Sequence, residues 1–289
     1  DEAKPSTQAA AALFDLTSLQ REANSRFGFS AKTTLSLAQA LYEKHKLLTY
    51  PRTDSKHLPE DYLQTVQDTM AALSKADELG KFAQHIMQQG WVKPNKRVFD
   101  NGKVSDHFAI IPTPSTPKLA SLSEAEAKIY DMVARRFLAV FFPPAQFLIT
   151  TRLTQIADLH FKTEGKVLIE AGWLAVMGRD RADPEAALPE LSPKGASQET
   201  ASMQSFACQA LHTRPPARFS EASLLSAMES AGKRVDEEEW REAMAEKGLG
   251  TPATRAAIIE GLHSENYLYR EARELVPTTR SEEHTSELQ

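Results

Sequence analysis

The hydrophobic pattern of this chain changes its period twice along its length. In the first half, apolar residues recur at helical spacing, as in a helix that Ser30 is expected to cap and that runs to about Lys46. From Phe147 to Thr154 and from Leu159 to Ile169, β-branched and aromatic residues alternate or run together, and Glu164-Gly165 is predicted as a turn, which indicates two or three antiparallel strands. Helical spacing returns after Ser220. A helical module inserted into a strand-rich one gives this order, so we predict a multidomain α+β fold.

Local signals mark the ends of the other elements. The sequence predicts further helix starts at Pro59-Glu60, at Ser123 with its capping-box partner Glu126, at Ser220 and at Thr251-Pro252. Pro143-Pro144 ends the helix that Ser123 begins, and the run from Tyr267 to Tyr269 favours a strand. Residues 180–198 are rich in Pro, Ala, Ser and charge, so we expect a loop or linker there.

The whole chain has the composition of an intracellular globular protein. Its 289 residues suggest two domains or one large one. It contains no apolar run that could span a membrane and no signal-peptide pattern, so we expect no membrane association and a cytoplasmic location. Its single cysteine, Cys208, excludes internal disulfides and a cysteine-rich zinc site. The missing start methionine suggests a piece of a longer protein.

The charge of the chain leaves nucleic acid open as a partner. The formal net charge of −5 argues mildly against it. However, acidic residues crowd short stretches such as Asp236 to Glu239, while pairs of basic residues such as Arg135 and Arg136 recur elsewhere. Because phosphate binding depends on local potential, the net charge alone does not decide the question.

The most reactive candidate is Tyr50, in the sequence Tyr-Pro-Arg-Thr-Asp-Ser. A phenol has a pKa of about 10, so it needs a nearby cation if it is to attack a phosphodiester at neutral pH. Arg52 provides a planar guanidinium that matches phosphate oxygens. A surface turn that carries a tyrosine with a buried ring is the alternative interpretation of this motif alone.

Three further stretches carry groups that suit contact with a phosphate backbone. His107 could place a titratable ring there, or it could be an ordinary structural histidine. Arg214 and Arg218 flank a Pro-Pro pair, which is also typical of a stiff linker. In the stretch from Gly248, glycines allow close approach of a ligand, and the N-terminus of the predicted helix, with Thr251, Thr254 and Arg255, could bind an anion. Ordinary helix capping explains the Thr-Pro pair equally well. No metal-binding motif is present in the sequence.

Taken in order, these stretches resemble the motifs of type IA DNA topoisomerases, and most of all those of bacterial topoisomerase III. The segments that carry the resemblance are Leu13 to Asn24, Tyr50 to Ser55, the His107 run, Pro215 to Phe219, and Gly248 to Ile259. The resemblance extends from about Leu13 to Thr278. It implies a mainly helical domain with the tyrosine (18–146) inserted in a β-rich arch (1–17 and 147–171), and then a mostly helical domain that binds the DNA strand (172–279).

The resemblance also implies residue roles. Tyr50 matches the nucleophile that forms a 5′-phosphotyrosyl link to single-stranded DNA, Arg52 the arginine at the scissile phosphate, and His107 a histidine near the cleavage site. The candidate DNA-binding residues are Thr53, Asp54, Ser55, Arg214, Arg218, Thr251, Thr254 and Arg255. The covalent link conserves the energy of the phosphodiester, so no ATP is required. The substrates implied are single-stranded, negatively supercoiled or catenated DNA.

The chain departs from the family pattern in two ways. Nothing in it matches the acidic Toprim domain, which binds Mg2+ and completes the active site in this family. We therefore expect the chain to bind no metal and to relax little or no DNA alone. Residues 280–289 also have no place in the pattern and read like translated sequencing-adapter DNA, so we expect a foreign or disordered tail.

Two other functional classes are alternatives to a topoisomerase. A relaxase needs a histidine cluster for metal, and a recombinase surrounds its tyrosine with several spaced Arg and His residues; neither arrangement is visible. A non-catalytic module that binds single-stranded DNA, of winged-helix type, stays open because a helix followed by a strand is expected between Thr251 and Tyr269. Replacing Tyr50 by Phe separates a binder from a topoisomerase.

Overall fold

The computed structural model describes residues 1–115, 121–179, 186–188, 202, 205, 207–234, 238–245 and 248–287. The predicted linker at 180–198 lies outside the described residues, except for 186–188. No helix in the described part of the chain is both long enough and apolar enough to cross a membrane.

The elements follow the predicted order of helices, strands and helices. The first group consists of β1 (Glu2–Gln8), α1 (Leu16–Phe27), α2 (Ala31–Glu43), α3 (Leu63–Leu73), α4 (Asp77–Gln89) and α5 (Glu124–Ala139). The long hairpin β2 (Ala145–Ile156) and β3 (Leu159–Glu170) follows. The last group consists of α6 (Glu221–Glu229), α7 (Glu238–Ala245), α8 (Pro252–Ser264), β4 (Leu268–Glu271), β5 (Glu274–Pro277) and α9 (Thr279–Glu287). The prediction of a mixed helix and sheet fold is confirmed.

Strands β1, β2 and β3 form one antiparallel sheet in that order. β1 pairs with β2 from Glu2–Thr151 to Gln8–Ala145, so the helical part of the chain begins and ends at neighbouring strand ends. The hairpin turns at Ala157-Asp158, where Ala157 has a φ of 51°. The turn predicted at Glu164-Gly165 is wrong, because these residues pair with β2 inside β3. A continuous ladder satisfies their backbone groups and overrides the local preference of glycine for a turn.

The main hydrophobic core lies among α1 to α5 and the segments between them. Its largest fully buried side chains include Phe14, Phe137, Leu16, Leu41 and Ile110. The residues from Leu13 to Thr17 are buried in this core, and α1 begins at Leu16, so the predicted boundary at residue 17 falls inside a helix. The carboxylate of Asp15 accepts a hydrogen bond from the amide of Ser18 at 2.7 Å and so fixes the start of α1.

Helix α2 leads from this core to the tyrosine motif. Ser30 caps it as predicted, since its hydroxyl accepts a hydrogen bond from the amide of Thr33 at 3.0 Å. The helix ends at Glu43 and not near Lys46, because Lys46 has a φ of 56°. The amide of Leu47 instead bonds the carbonyl of Leu41 at 2.8 Å, which turns the chain back toward the core.

A second, smaller apolar cluster joins α2 to the last group of elements. Its buried members are Ala31, Leu225, Met228, Ala256 and Ile259. Polar contacts surround this cluster, and the buried carboxylate of Glu221 in α6 accepts a hydrogen bond from the amide of Ala31 at 2.7 Å. The junction therefore combines a small hydrophobic contact with buried polar groups.

The C-terminal residues differ from their prediction. Thr279–Glu287 form helix α9, so the expectation of disorder is wrong for this part of the tail. The guanidinium of Arg280 lies 4.7 Å from the centre of the Tyr267 ring and donates a hydrogen bond to the carbonyl of Glu265 at 2.6 Å. These contacts with the end of α8 give the first turn of α9 a packing surface. The foreign origin of residues 280–289 stays a prediction.

Candidate active site

The segment that carries Tyr50 is fixed by the residue before it. Thr49 is buried, and its amide donates to the carbonyl of Ile111 at 3.0 Å. Its hydroxyl donates to the carbonyl of Ala109 at 3.0 Å and accepts from the amide of Ile111 at 2.9 Å. Thr49 thus joins the tyrosine segment to the segment that follows His107. The sequence analysis did not identify Thr49, whose role depends on a contact with residues far along the chain.

The ring of Tyr50 is half-buried and contacts two other rings. The centre of the His107 ring lies 4.3 Å away, with an angle of 43° between the ring planes. The ring of Tyr42, in the last turn of α2, lies 5.5 Å away and meets Tyr50 at 78°. The structure therefore brings Tyr50 and His107 together, as the resemblance implies. Tyr42 is a further member of this aromatic group that sequence reasoning missed.

Arg52 is exposed at the surface next to this aromatic group. Among the described residues its guanidinium makes one hydrogen bond, from Nη2 to the side-chain oxygen of Gln39 in α2, at 3.3 Å. A guanidinium has five N–H donors, so within this part of the chain most of them are open to an anion. The arrangement places a phenol and a cation on one irregular segment that α2 and the Ala109–Ile111 segment support.

Thr53 and Ser55 are buried and bind backbone groups, Thr53 within its own segment and Ser55 also in the loop around Lys103. The hydroxyl of Thr53 accepts a hydrogen bond from the amide of Ser55 at 3.1 Å, and the hydroxyl of Ser55 donates to the carbonyl of Lys103 at 2.7 Å. The carbonyl of Thr53 also accepts from the amide of Leu16 at 3.0 Å. These two side chains hold the shape of the segment. Asp54, between them, is exposed.

A cleft of about 570 Å3 lies where the tyrosine motif meets the glycine-rich stretch. Residues from five segments line it, among them Asp15, Asp54, Ser55, Lys103, Thr251 and Arg255. Two of the stretches that the sequence analysis singled out therefore share one cleft, which extends between α8 and the loop around Lys103. Lys103 is an exposed cation at this cleft that the sequence analysis did not identify.

The glycine-rich stretch reaches the cleft through a tight approach to α6. Gly248 has a φ of 66°, and a Cβ placed there would lie 2.2 Å from the carbonyl oxygen of Met228, so only glycine fits. Thr251 and Thr254 are exposed at the start of α8, where the hydroxyl of Thr254 accepts from the amide of Thr251 at 2.8 Å. Both hydroxyls lie near the cleft.

Arg255 is buried in the structure. Only 3% of its surface is exposed, and its guanidinium donates to the hydroxyl of Thr17 at 2.9 Å and to the carbonyl of Leu249 at 3.2 Å. Burial lowers the pKa of this guanidinium, while the charges of Glu229 and Asp15 raise it. In this structure Arg255 joins α8 to α1 and forms part of the wall of the cleft, and its contact with DNA stays a prediction.

Arg214 and Arg218 lie in an exposed, irregular stretch that leads to α6. Neither lines the cleft, and neither makes an ion pair with another described residue. Both guanidinium groups are accessible to an anion, as expected from the sequence, but the structure does not bring them to Tyr50.

His57 lies just beyond the motif and has a perturbed titration. Burial lowers its pKa, and the charges of Lys103 and Lys56 act in the same direction, while Asp100 opposes them. The neutral form of His57 therefore persists to a lower pH than that of an ordinary histidine. Its neighbour Lys56 pairs with the buried carboxylate of Asp15 at 3.4 Å.

Mg2+ in proteins is usually held by one or two carboxylates together with water and phosphate oxygens. Within the described ranges, no group of three or more His, Cys, Asp or Glu side chains is close enough to hold a metal ion. The expectation that this chain alone binds no metal stays a prediction.

Comparison with known proteins identifies the family. The model of the DNA topoisomerase family matches residues 2–289. The chain belongs to this family. The match includes residues 280–289, which the sequence analysis placed outside the family pattern.

The curated relatives agree with the type IA, topoisomerase III-like resemblance, which is confirmed. DNA topoisomerase 3 of Bacillus licheniformis is 42% identical over 278 residues, and that of Bacillus subtilis is 40% identical over 281 residues. These matches cover 94% and 95% of this chain but only 38% of each relative. The chain thus spans well under half the length of these topoisomerases.

A solved structure shows the same fold. The full-length topoisomerase I from Thermotoga maritima matches 96% of this chain and 42% of its own length, with a TM-score of 0.63. Sequence identity is 23%, so this likeness supports the fold alone.

Proposed function

We propose that this chain forms the part of a type IA DNA topoisomerase that carries the nucleophile, and that Tyr50 cleaves one DNA strand. The observation that carries the proposal is the position of Tyr50. Its ring contacts His107, its backbone is fixed through Thr49, and Arg52 follows on the same segment. These surroundings support the proposal because they give the motif tyrosine a ring contact that can orient it and a cation on the same segment, two of the features that nucleophilic attack on phosphorus uses.

The reaction exchanges one phosphodiester for another. The phenolic oxygen of Tyr50 forms a bond to phosphorus, the bond to the 3′-oxygen breaks, and a proton reaches the leaving 3′-hydroxyl. The reverse attack by that hydroxyl restores the strand and frees Tyr50, so no ATP is consumed. Arg52 is proposed to stabilise the charge on the phosphate, and His107 is proposed to orient the phenol and the phosphate.

The DNA strand is proposed to pass along the cleft between the tyrosine motif and α8. Asp54 and Thr251 are exposed there, the hydroxyl of Thr254 lies 3.0 Å from that of Thr251, and Lys103 supplies a positive charge. Arg214 and Arg218 are proposed to bind phosphates farther along the strand. We propose a structural role for the buried side chains of the same motifs, Thr53, Ser55 and Arg255.

The remainder of the active site is proposed to belong to the longer protein. A Toprim domain in the same polypeptide would hold Mg2+, which neutralises charge near the reacting phosphate when it is bound. Because that domain would complete the active site, we expect the isolated chain to relax little or no supercoiled DNA. The proposed substrates of the longer protein are single-stranded, negatively supercoiled and catenated DNA.

The test uses the longer protein that contains this chain. A single-stranded oligonucleotide labelled at its 3′ end is incubated with Mg2+ and the protein, and the reaction is stopped with detergent. We expect labelled DNA to remain attached to the wild-type protein and the linked peptide to contain Tyr50. Tyr50→Phe should bind the oligonucleotide but form no adduct.

Tyr62→Phe is a matched control, since Tyr62 is half-buried and contacts Phe108 but not Tyr50. It should form the adduct at the wild-type rate. An adduct that persists in Tyr50→Phe, or a linked peptide without Tyr50, would overturn the assignment.

A non-catalytic strand-binding module is the second candidate function. Helix α8 is followed by the hairpin of β4 and β5, which is the element order of a winged helix. The same experiment separates the two functions. A binding module retains the oligonucleotide but gives no covalent adduct in either the wild-type protein or Tyr50→Phe.

A further inference from the structure

Tyr42 contacts the proposed nucleophile from a rigid part of the fold. It lies in the last turn of α2, beside Ala38 and Leu41, which are completely buried in the main core. Its ring lies 5.5 Å from the ring of Tyr50, with an angle of 78° between the two planes. This edge-to-face geometry is the favourable arrangement for two aromatic rings.

The position of the Tyr50 backbone is already determined by Thr49 and its bonds to Ala109 and Ile111. The remaining freedom of Tyr50 is rotation about its side-chain bonds, which moves the phenolic oxygen by several ångströms. Ring contacts are therefore the means by which the fold limits the direction of the phenol.

The two rings that touch Tyr50 have different support. His107 is exposed and belongs to an irregular segment, whereas Tyr42 is half-buried and belongs to a packed helix. The ammonium of Lys46 lies 5.8 Å from the centre of the Tyr42 ring, and the carbonyl of Lys46 accepts a hydrogen bond from the hydroxyl of Thr113 at 2.6 Å. Tyr42 is thus the better-supported neighbour of the nucleophile.

We propose that Tyr42 is a positioning residue, which directs the phenol of Tyr50 toward the phosphate through contact between the two rings. This inference rests on the proposed role of Tyr50 as the nucleophile. Tyr42 does not itself react, so its ring is required and its hydroxyl is not. A misplacement of a reacting group by about 1 Å can lower a rate by a factor of about one hundred.

The variants Tyr42→Phe and Tyr42→Leu test the proposal in the longer protein. The rate of adduct formation is measured in a single turnover with saturating oligonucleotide, and affinity is measured separately with a non-cleavable strand. We expect Tyr42→Leu to form the adduct about ten to one hundred times more slowly, with unchanged affinity. Tyr42→Phe should stay within about twofold of the wild type, because the ring contact is kept.

Tyr62→Leu is the matched control. It also removes a half-buried tyrosine ring, but one that packs on Phe108, 4.7 Å away. It should leave the adduct rate unchanged. The proposal is wrong if Tyr42→Leu cleaves at the wild-type rate, if Tyr42→Phe is as slow as Tyr42→Leu, or if Tyr62→Leu produces the same loss.

A fluorine resonance from 3-fluorotyrosine at position 50 separates this proposal from the proposed function. If Tyr42 restricts the ring, the signal should be shifted from that of free fluorotyrosine in the wild type and in Tyr42→Phe, and should move toward the free value in Tyr42→Leu. A wild-type protein that shows this shift but forms no adduct would disprove the proposed function and leave the contact established. A signal that Tyr42→Leu does not change would disprove the positioning role.

Discussion

The carboxylate of Glu221 connects two parts of the molecule, and its replacement by Gln is expected to loosen their junction. One oxygen accepts the amide of Ala31, at the start of α2, and the other accepts Nε of Arg270, in β4, each at 2.7 Å. Glu221 is the first residue of α6, and α6 and α2 each have a serine cap of their own, Ser220 for α6 and Ser30 for α2. Glu221 is therefore not needed to form either helix, and its bonds serve the contact between them.

The structure sets the size of the effect. Removing one member of a buried, hydrogen-bonded charge pair costs about 3–5 kcal/mol when the other charge stays buried. The side chain of Glu221 is 5% exposed, but that of Arg270 is 30% exposed and keeps Glu260 at 2.5 Å. Gln can still accept one hydrogen bond. We therefore expect Glu221→Gln to weaken the junction by about 1.5–3 kcal/mol.

Amide hydrogen exchange measures this junction directly. The amide of Ala31 is bonded to Glu221, and the amide of Ala222 is bonded to the side chain of Asn24 in α1 at 3.2 Å. In Glu221→Gln both amides should exchange about ten to one hundred times faster, as the free energy of local opening falls. Amides in the middle of α5, which contributes no residue to the second apolar cluster, should keep their wild-type rates.

Glu124→Gln provides the control, because Glu124 is 84% exposed and pairs with Lys128 at the surface. Such a pair contributes about 0–1 kcal/mol, so exchange at Ala31 should not change. Wild-type exchange at Ala31 and Ala222 in Glu221→Gln would refute the reasoning. Equal acceleration in α5 would also refute it, because the effect would then be global unfolding.

Three further changes test the site and its support. Thr49→Val removes the hydroxyl that joins Ala109 and Ile111, and we expect a loss of about 1–3 kcal/mol in the free energy of unfolding, measured by urea denaturation; an unchanged midpoint would contradict it. Arg136→Lys should cost about 2–4 kcal/mol in the same assay. The guanidinium of Arg136 bonds the carbonyl of Ala12 and the carboxylate of Glu22 and covers the ring of Phe14, and an ammonium cannot make all three contacts together. A cost below about 0.5 kcal/mol would contradict this. The lowered pKa of His57 means that the unfolded chain binds the proton more readily, so its contribution to stability is complete above a pH of about 6.5 and is lost as the pH falls below it. His57→Asn should therefore lose less stability than the wild type between about pH 7.5 and 5.5, and an equal loss would exclude this effect.

The starts of the helices could be predicted because their signals are local. Ser30, Ser123, Ser220 and Thr251 each precede a helix in the structure, as the capping patterns indicate. Such caps need only residues within one turn of the helix. The predicted strand segments left residues 155–158 between them, but the turn was placed at Glu164-Gly165, because the local preference of glycine outweighed the weaker signal of Asp158; the ladder between β2 and β3 decides the place of the turn.

The candidate site could be predicted only in part. Residue chemistry identified Tyr50 and Arg52, but the approach of His107 to Tyr50 depends on the contacts of Thr49 with residues about sixty positions away. The sequence of a motif also does not show whether its polar side chains face solvent or the protein interior. Ser55 and Arg255 are buried and bind protein atoms, although the pattern suggested that both contact DNA.

The pairing of β1 with β2 has a consequence for the order of folding. Gln8 and Ala145 are partners across these strands, although the whole helical region separates them in the sequence. Bringing them together in an unfolded chain costs the closure entropy of a very long loop. Contacts within α1 to α5 are more local, and once they form, the two chain ends already lie close together. The helical region is therefore expected to fold first and to act as the template on which the sheet assembles.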